Sequence, residues 1–165
     1  MIAPLMTNAE FQADLLPEAQ IHLSLRAASK TSLLADLAQR AALIAAIRAD
    51  VVAAGLMDRE SLGSTGVGHG IALPHARIDG LAKITCLLSI LAKPIEYGSI
   101  DGGKVDVVFL LLSPAGASAQ HLSTLAAATR RLRRADCLAA LRQATTPAAA
   151  RAAFLYESQI GSEHR

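Results

Sequence analysis

The chain has 165 residues, of which 52% are hydrophobic and 18% are charged, and this balance excludes a disordered or low-complexity protein. Its length suits one domain that can bury its own core. The net charge of +2 is well short of the strongly basic balance expected of a nucleic-acid-binding domain. Aromatic residues make up only 3% of the chain, which argues against a base-stacking platform. We expect a core of Leu, Ile, Val and Ala.

Cysteine usage and hydropathy both favour a cytoplasmic protein. Cys86 and Cys137 lie far apart in apolar stretches and form no Cys-x-x-Cys pair, which predicts two buried free thiols in a reducing compartment. No stretch approaches the roughly 18–20 uninterrupted apolar residues that a membrane span needs. The first ten residues have no basic start and reach an acid at Glu10, unlike a secretory signal. We therefore expect a cytoplasmic location and no membrane insertion.

The N-terminal third predicts an arm, a strand and a helical region. Residues 1–20 contain two prolines and little periodicity, which indicates an irregular arm. Alternating apolar and polar residues over 21–26 predict a strand with one buried face. From about 31 to 53, apolar residues recur at spacings of three and four, which predicts one amphipathic helix capped by Ser29 or Thr31. We expect its buried face to consist of Leu33, Leu34, Leu37, Ala41, Ile44 and Ile47.

The middle of the chain changes character after that helix. We expect Gly55 to close the helix and residues 58–62 to form a further short one. Four glycines fall within residues 63–70, and an extended piece follows over 71–75. Near-continuous apolar runs at 84–91 and 105–112 predict strands that are buried on both faces.

The C-terminal part reads as three helices, and the order of elements defines the fold class. Helices are predicted at about 120–134, 136–143 and 147–157, with Ser118 as the first N-cap and a frayed tail over 159–165. Helices before and after buried strands predict an α/β (α+β mixed) fold: one domain over residues 1–165 with a central mixed β-sheet of about five strands and helices on both faces. On the helix over 120–134, we expect three leucines to face inward: Leu122, Leu125 and Leu132.

Histidines carry the most promising chemistry in the sequence. His75 follows the glycine-rich loop and Pro74, and an imidazole in such a place is accessible and can accept a phosphoryl group at neutral pH. His121 lies near the start of the helix over 120–134, where free N–H groups and the helix dipole attract anions. From the residues alone, either histidine could equally be an ordinary polar side chain.

Other kinds of site receive weaker support. The glycine-rich loop lacks both the P-loop pattern and G-x-G-x-x-G, so we expect no nucleotide. A zinc site formed by His69, His75 and His121 is conceivable, but no Asp or Glu lies near them at a metal-ligand spacing. We therefore predict no metal and no cofactor. The basic cluster over 130–134 closes a helix, where cations complement the dipole or could dock an acidic partner.

One segment resembles a known family. The run Arg59-Glu-Ser-Leu-Gly-Ser-Thr-Gly-Val-Gly-His-Gly-Ile-Ala-Leu-Pro-His-Ala-Arg77 resembles the active-site signature of the fructose/mannitol-type enzyme IIA domains of the bacterial phosphotransferase system. The Gly-Ser-Thr-Gly form of its loop is most similar to the nitrogen-regulatory branch. The resemblance covers nearly the whole chain and is most specific in this run.

The resemblance implies roles for particular residues. It implies that His75 carries the phosphoryl group and that His121, which is 46 residues later (121 − 75), stabilises that group. Arg59 would supply charge or position the loop. The loop itself, Ser64, Thr65 and Gly66, would contribute to the phosphate site.

The resemblance also implies the activity and the partners. The protein would be a phosphotransferase that accepts a phosphoryl group from a histidine-containing phosphocarrier protein and needs no cofactor. Two functions remain open: regulation linked to nitrogen and potassium, with a potassium transporter or sensor kinase as target, or sugar uptake, with transfer to an enzyme IIB. We favour regulation, because the chain has no membrane segment and no IIB-like cysteine loop. A non-phosphorylated binding module is the third alternative.

Overall fold

The computed structural model describes residues 11–157, which form six strands, five α-helices and, in the predicted arm, two short 3₁₀-helices (Ala13–Leu15 and Glu18–Gln20). The strands and helices, numbered in chain order, are β1 (Ile21–Leu25), α1 (Lys30–Ala45), α2 (Ala49–Ser61), β2 (Gly66–Gly68), β3 (Ile71–Ala72), β4 (His75–Ile78), β5 (Thr85–Ile95), β6 (Val105–Pro114), α3 (Ser118–Leu132), α4 (Ala135–Gln143) and α5 (Pro147–Leu155).

The strands form one mixed sheet in the order β1-β5-β6-β3-β2, and β4 pairs with β6 beyond the end of β3. The β5–β6 and β2–β3 pairs are antiparallel, whereas β1–β5, β3–β6 and β4–β6 are parallel. The predicted extended piece over 71–75 is thus two strands separated by Leu73 and Pro74. Proline has no N–H to give to a ladder, so β3 ends before Pro74 and β4 begins at His75.

Helices cover both faces of this sheet, which confirms the predicted fold class. On one face, α1 and α2 enclose a core layer that includes Leu37, Val52 and Leu110. On the other face, α3, α4 and α5 enclose a second layer with Leu88 and Leu111. Because successive side chains of a strand point to opposite faces, β5 and β6 supply both layers and are apolar almost throughout. In residues 11–157 no helix is both long enough and apolar enough to cross a bilayer.

The single helix predicted over 31–53 is wrong, because the chain forms two helices there. Ala46 adopts a left-handed conformation with φ 53° and ends α1, which Ser29 caps at its start. Gly55 lies inside α2, and the short helix predicted over 58–62 is its last turns. Both helices bury side chains in one core layer, so the apolar spacing continues across the turn. Ile44, next to the turn, is 42% exposed rather than buried.

The predicted arm joins the core from its first described residue. Phe11 is buried and contacts Phe109 and Phe154 edge-on, at centroid distances of 5.8 and 4.9 Å. The three phenylalanines of the chain therefore meet in one core layer, which corrects the expectation of a purely aliphatic core. Residues 1–10 of the predicted arm and the predicted frayed tail, 159–165, lie outside the described residues.

Candidate active site

His75 opens β4 and is held by a backbone hydrogen bond. Its Nδ1 lies 2.7 Å from the carbonyl oxygen of Leu73, and a carbonyl only accepts, so Nδ1 carries the proton. The neutral ring then has its free electron pair on Nε2. Burial lowers the pKa of His75, and the guanidinium of Arg59 lowers it further, against the opposing effects of the Leu73 hydrogen bond and Glu60. The ring is thus kept neutral and nucleophilic at pH 7.

Arg59 reaches that electron pair from the last turn of α2. Its Nε donates to Nε2 of His75 at 3.2 Å, and its Nη1 donates to the carbonyl oxygen of Gly63 at 2.8 Å. The helix can come this close to β4 because Gly55 has no side chain: a Cβ there would meet Cδ1 of Ile78 at 2.7 Å. Gly55, which was predicted to end a helix, instead allows α2 and β4 to pack closely at the site.

His121 faces His75 across the site, with ring centroids 5.4 Å apart. It lies in the first turn of α3, as predicted, and is only 6% exposed. Its Nδ1 is 2.7 Å from Oγ of Ser113, at the end of β6. Burial lowers the pKa of His121 to about 4, helped by His75 and Arg77. Two neutral imidazoles therefore share one cleft.

The cleft between α2, β4 and α3 has a volume of about 490 Å³. Arg77 lines it and donates from Nη1 to Oγ of Ser118 at 2.7 Å. Ser118 was predicted to cap α3, but Ala117 is the N-cap residue. The Ser118 hydroxyl instead accepts the hydrogen bond from Arg77. Leu122, predicted to face inward, lines the cleft instead and is 66% exposed. Two guanidinium groups and two imidazoles around one cleft suit a small, multiply charged anion.

The loop residues predicted for the phosphate site do not line this cleft. The Ser64 hydroxyl accepts from the N–H of Gly66 at 3.1 Å, and Gly66 lies against Ser99, whose Cα would be 2.9 Å from an added Cβ. The Thr65 side chain is buried and donates to the carboxylate of Glu60. The structure brings Arg59, His75 and His121 together, and the Thr65 side chain turns inward to Glu60 rather than toward the cleft.

Sequence reasoning missed a buried polar group behind the cleft, which we call the Glu60 cluster: Lys30, Glu60, Thr65 and Tyr97. The ammonium of Lys30 is 2.6 Å from Glu60 and 4.5 Å from the Tyr97 ring centroid. Burial alone would raise the pKa of Glu60, but Lys30 and two hydrogen bonds from Thr65 hold it below its usual value. Glu60 and Thr65 both lie in the signature, but Lys30 and Tyr97 lie far from Glu60 along the chain, so no local pattern signals those two contacts.

The remaining candidates lie outside the cleft. His69 is exposed and has a positive φ of 56°, and its N–H donates to Asp101 at 3.1 Å. Within residues 11–157, no three His, Cys, Asp or Glu side chains are grouped to hold a metal ion. In the basic cluster, Arg131 donates to the carbonyl oxygen of Leu155, the last residue of α5, and Arg134 donates to that of Tyr156, the residue after it.

The fold and the cleft together define the class of this protein: it is a mixed α/β domain in which two histidines face each other. Residues 14–156 match the family described as "Phosphoenolpyruvate-dependent sugar phosphotransferase system, EIIA 2". The chain belongs to this family, as the sequence predicted, and is an EIIA-type phosphocarrier similar to nitrogen regulatory proteins.

Curated relatives support the nitrogen-regulatory resemblance. The chain is 43% identical over 129 residues to a nitrogen regulatory protein of Bradyrhizobium diazoefficiens, covering 78% of this chain and 84% of that protein. It is 37% identical over 106 residues to a nitrogen regulatory protein of Escherichia coli, covering 63% and 64% of the two chains. A fructose-specific EIIA component of Haloferax volcanii is 36% identical over 81 residues, or 49% of this chain and 53% of that protein. The matched stretch is thus less than two thirds of the last two relatives.

Solved structures agree on the fold. The nitrogen regulatory protein IIA-Ntr of Neisseria meningitidis has a TM-score of 0.83 and 27% identity, covering 86% of this chain and 97% of that one. The mannitol IIA of Escherichia coli, at 18% identity, has a TM-score of 0.70 over 84% and 98% of the two chains.

Proposed function

We propose that His75 accepts a phosphoryl group on Nε2 from the phosphohistidine of a histidine-containing phosphocarrier protein. The observation that carries this proposal is the 2.7 Å contact from Nδ1 to the Leu73 carbonyl. It keeps the proton on Nδ1 and leaves the Nε2 electron pair at the cleft beside Arg59. The membership of the EIIA family supports the same reaction class.

The transfer needs no cofactor in this scheme. Nε2 of His75 attacks phosphorus as the N–P bond of the donor breaks, and the donor imidazole leaves with the electron pair of that bond. The Nδ1 proton of His75 stays on the ring, where the Leu73 carbonyl offsets the positive charge that develops. The transition state is loose, so positioning and charge neutralisation account for most of the rate.

Arg59 and His121 stabilise the transferred group. Arg59 already donates to Nε2 and can turn its N–H groups to the phosphoryl oxygens once the group arrives. When the Ser113 hydroxyl donates to Nδ1 of His121, that ring carries its proton on Nε2 and can donate to a phosphoryl oxygen. For Ser64, Thr65 and Gly66 we propose a supporting role behind the cleft rather than direct contact.

We further propose that the phosphorylated and unphosphorylated forms regulate other proteins in the cytoplasm, with a potassium transporter or a sensor kinase as the target type. The likeness to nitrogen regulatory proteins supports this choice. The fructose-specific relative supports the second candidate, transfer to an enzyme IIB. Incubating the phosphorylated protein with a purified fructose or mannitol enzyme IIB separates the two: rapid loss of label to enzyme IIB would contradict the regulatory assignment.

Phosphorylation itself is tested with phosphorylated phosphocarrier protein and mass spectrometry. The wild type should gain one acid-labile phosphate and His75→Ala none. His121→Ala should be slower by roughly 10²–10³-fold, as expected for one lost donor to the developing charge. His69→Ala, which removes an exposed histidine outside the cleft, is the matched control and should react like the wild type. Labelling of His75→Ala at the normal rate would refute the assignment.

A further inference from the structure

The Glu60 cluster is built to hold Thr65 in a single geometry. The Glu60 side chain is only 5% exposed and accepts from the Thr65 N–H at 3.2 Å, from the Thr65 hydroxyl and from the Tyr97 hydroxyl at 3.2 Å. The Tyr97 oxygen is also 2.9 Å from Oγ1 of Thr65. A buried carboxylate is stable only when its partners are well placed. Both the backbone and the side chain of Thr65 are therefore tied to one group.

Backbone hydrogen bonds continue from Thr65 to His75. The N–H of Leu73 donates to the carbonyl oxygen of Thr65 at 3.0 Å. The carbonyl oxygen of Leu73 in turn accepts from Nδ1 of His75 at 2.7 Å. Three links thus join the Glu60 carboxylate to the imidazole of His75. The two strands between Thr65 and Leu73, β2 and β3, have only three and two residues, so few ladder hydrogen bonds restrain this segment.

We propose that Glu60 is a positioning residue for His75. By holding Thr65, it fixes the Leu73 carbonyl, and that carbonyl keeps the proton on Nδ1 and aims Nε2 at the cleft. This inference rests on the proposed function, in which Nε2 is the nucleophile. The backbone of Glu60 contributes as well, because its carbonyl oxygen accepts from the N–H of Gly63 at 3.1 Å, and Gly63 holds Arg59.

A pair of substitutions at Thr65 separates positioning from packing. Thr65→Val keeps the shape of the buried side chain but has no hydroxyl for Glu60. Thr65→Ser keeps the hydroxyl but loses a buried methyl group. If the hydrogen bonds orient His75, the valine variant is the more impaired one. If Thr65 only fills space, the order of the two variants is reversed.

The first readout is the nitrogen NMR spectrum of the His75 ring, which needs no phosphoryl donor. The wild type should show one neutral tautomer with the proton on Nδ1. Glu60→Gln and Thr65→Val should show a mixture of the two tautomers, and Thr65→Ser should lie much closer to the wild type. Glu157→Gln is the matched control, because it removes a carboxylate paired with Arg131 at the far end of α3, and it should leave the spectrum unchanged.

The second readout is the single-turnover rate of phosphorylation at saturating donor. Glu60→Gln and Thr65→Val should be slower by about tenfold to a hundredfold, because the nucleophile is misplaced, with little change in donor affinity.

The proposal is overturned if both variants, with folding verified by circular dichroism, show the wild-type tautomer and the wild-type rate. If Glu60→Gln does not fold, the Thr65 pair decides alone. If the wild type itself takes up no phosphate, the proposed function fails, and the tautomers still decide whether Glu60 positions His75.

Discussion

His75 and His121 are the same type of side chain in different surroundings. His75 is half-buried, with a carbonyl on one ring nitrogen and a guanidinium on the other. His121 is buried and bonded to a serine hydroxyl. Burial lowers the pKa of both, which keeps them neutral near pH 7. Such perturbed groups facing one another in a cleft are typical of functional sites.

The low pKa of His121 predicts a pH dependence of stability. The unfolded chain takes up this proton near pH 6.5 and the folded chain only near pH 4, so protonation favours unfolding between these values. Stability is retained above pH 6.5 and lost as the pH falls toward 4, by up to about 3 kcal/mol from this one group. Urea unfolding of the wild type and His121→Gln at a series of pH values measures the difference.

His69→Gln is the control for that series, because His69 is exposed and outside the cleft. It should follow the wild-type profile, whereas His121→Gln should lose less stability on acidification. Parallel profiles for the wild type and His121→Gln would show that His121 does not resist protonation in the folded state.

At the scale of elements, the turn between α1 and α2 depends on the backbone conformation of Ala46, a residue type that does not signal a turn in the sequence. Ala46 adopts φ 53° and ψ 47°, a left-handed conformation that costs a residue with a Cβ roughly 1–2 kcal/mol. Glycine is the usual residue at such a helix end. The turn therefore forms because the two helices pack on one core layer, and the local backbone is strained.

Ala46→Gly should stabilise the protein. Relief of the left-handed strain exceeds the extra entropy that glycine gives to the unfolded chain, so the free energy of unfolding should rise by about 0.5–1 kcal/mol. Ala54→Gly, at an exposed position inside α2, is the matched control and should lower it by about 1 kcal/mol. Denaturant unfolding of both variants decides the matter, and a loss of stability in Ala46→Gly would contradict the strain at this turn.

The first residue of β2, Gly66, lies close to the backbone of Ser99. A Cβ on Gly66 would be 2.9 Å from Cα of Ser99, so the two backbones must separate to admit it. Gly66→Ala should therefore lower the free energy of unfolding by about 1–3 kcal/mol. Gly116→Ala, where nothing lies within 4 Å of the added Cβ, should change it by less than about 1 kcal/mol. Equal effects of the two substitutions in thermal or denaturant unfolding would argue against the close approach.

At the scale of the whole molecule, the order of the strands assembles the site. His75 pairs with Leu111 of β6 in parallel, and β6 continues through Ser113 into the loop that starts α3. The first turn of α3 therefore brings His121 to face His75, although 46 residues separate the two in sequence (121 − 75). The start of α3 follows the carboxyl end of β6, where sheets of this kind tend to bind ligands, and the parallel pairing with β6 brings His75, the first residue of β4, to the same place.

The burial of both cysteines beneath the surface also predicts how their thiols react. Cys86 in β5 and Cys137 in α4 are both buried, and burial raises the pKa of Cys86 to about 12. Both should therefore react with a thiol reagent only as fast as the protein unfolds. Labelling with and without urea measures this, and rapid labelling of the folded protein would mean that the helices do not cover the sheet as described.

The sequence by itself determined the fold class, the buried central strands and the residues at the centre of the site. Apolar periodicity reports which side of an element is buried, so β1, β5, β6 and most helices were predictable, whereas the short strand β2 was not. The signature from Arg59 to His75 carried the chemistry. The tertiary structure decided what depends on distant neighbours: the turn at Ala46, the burial of Phe11 and His121, and the contacts of Lys30 and Tyr97 with Glu60. No local pattern encodes these, because each arises from atoms that meet only when separate elements pack together.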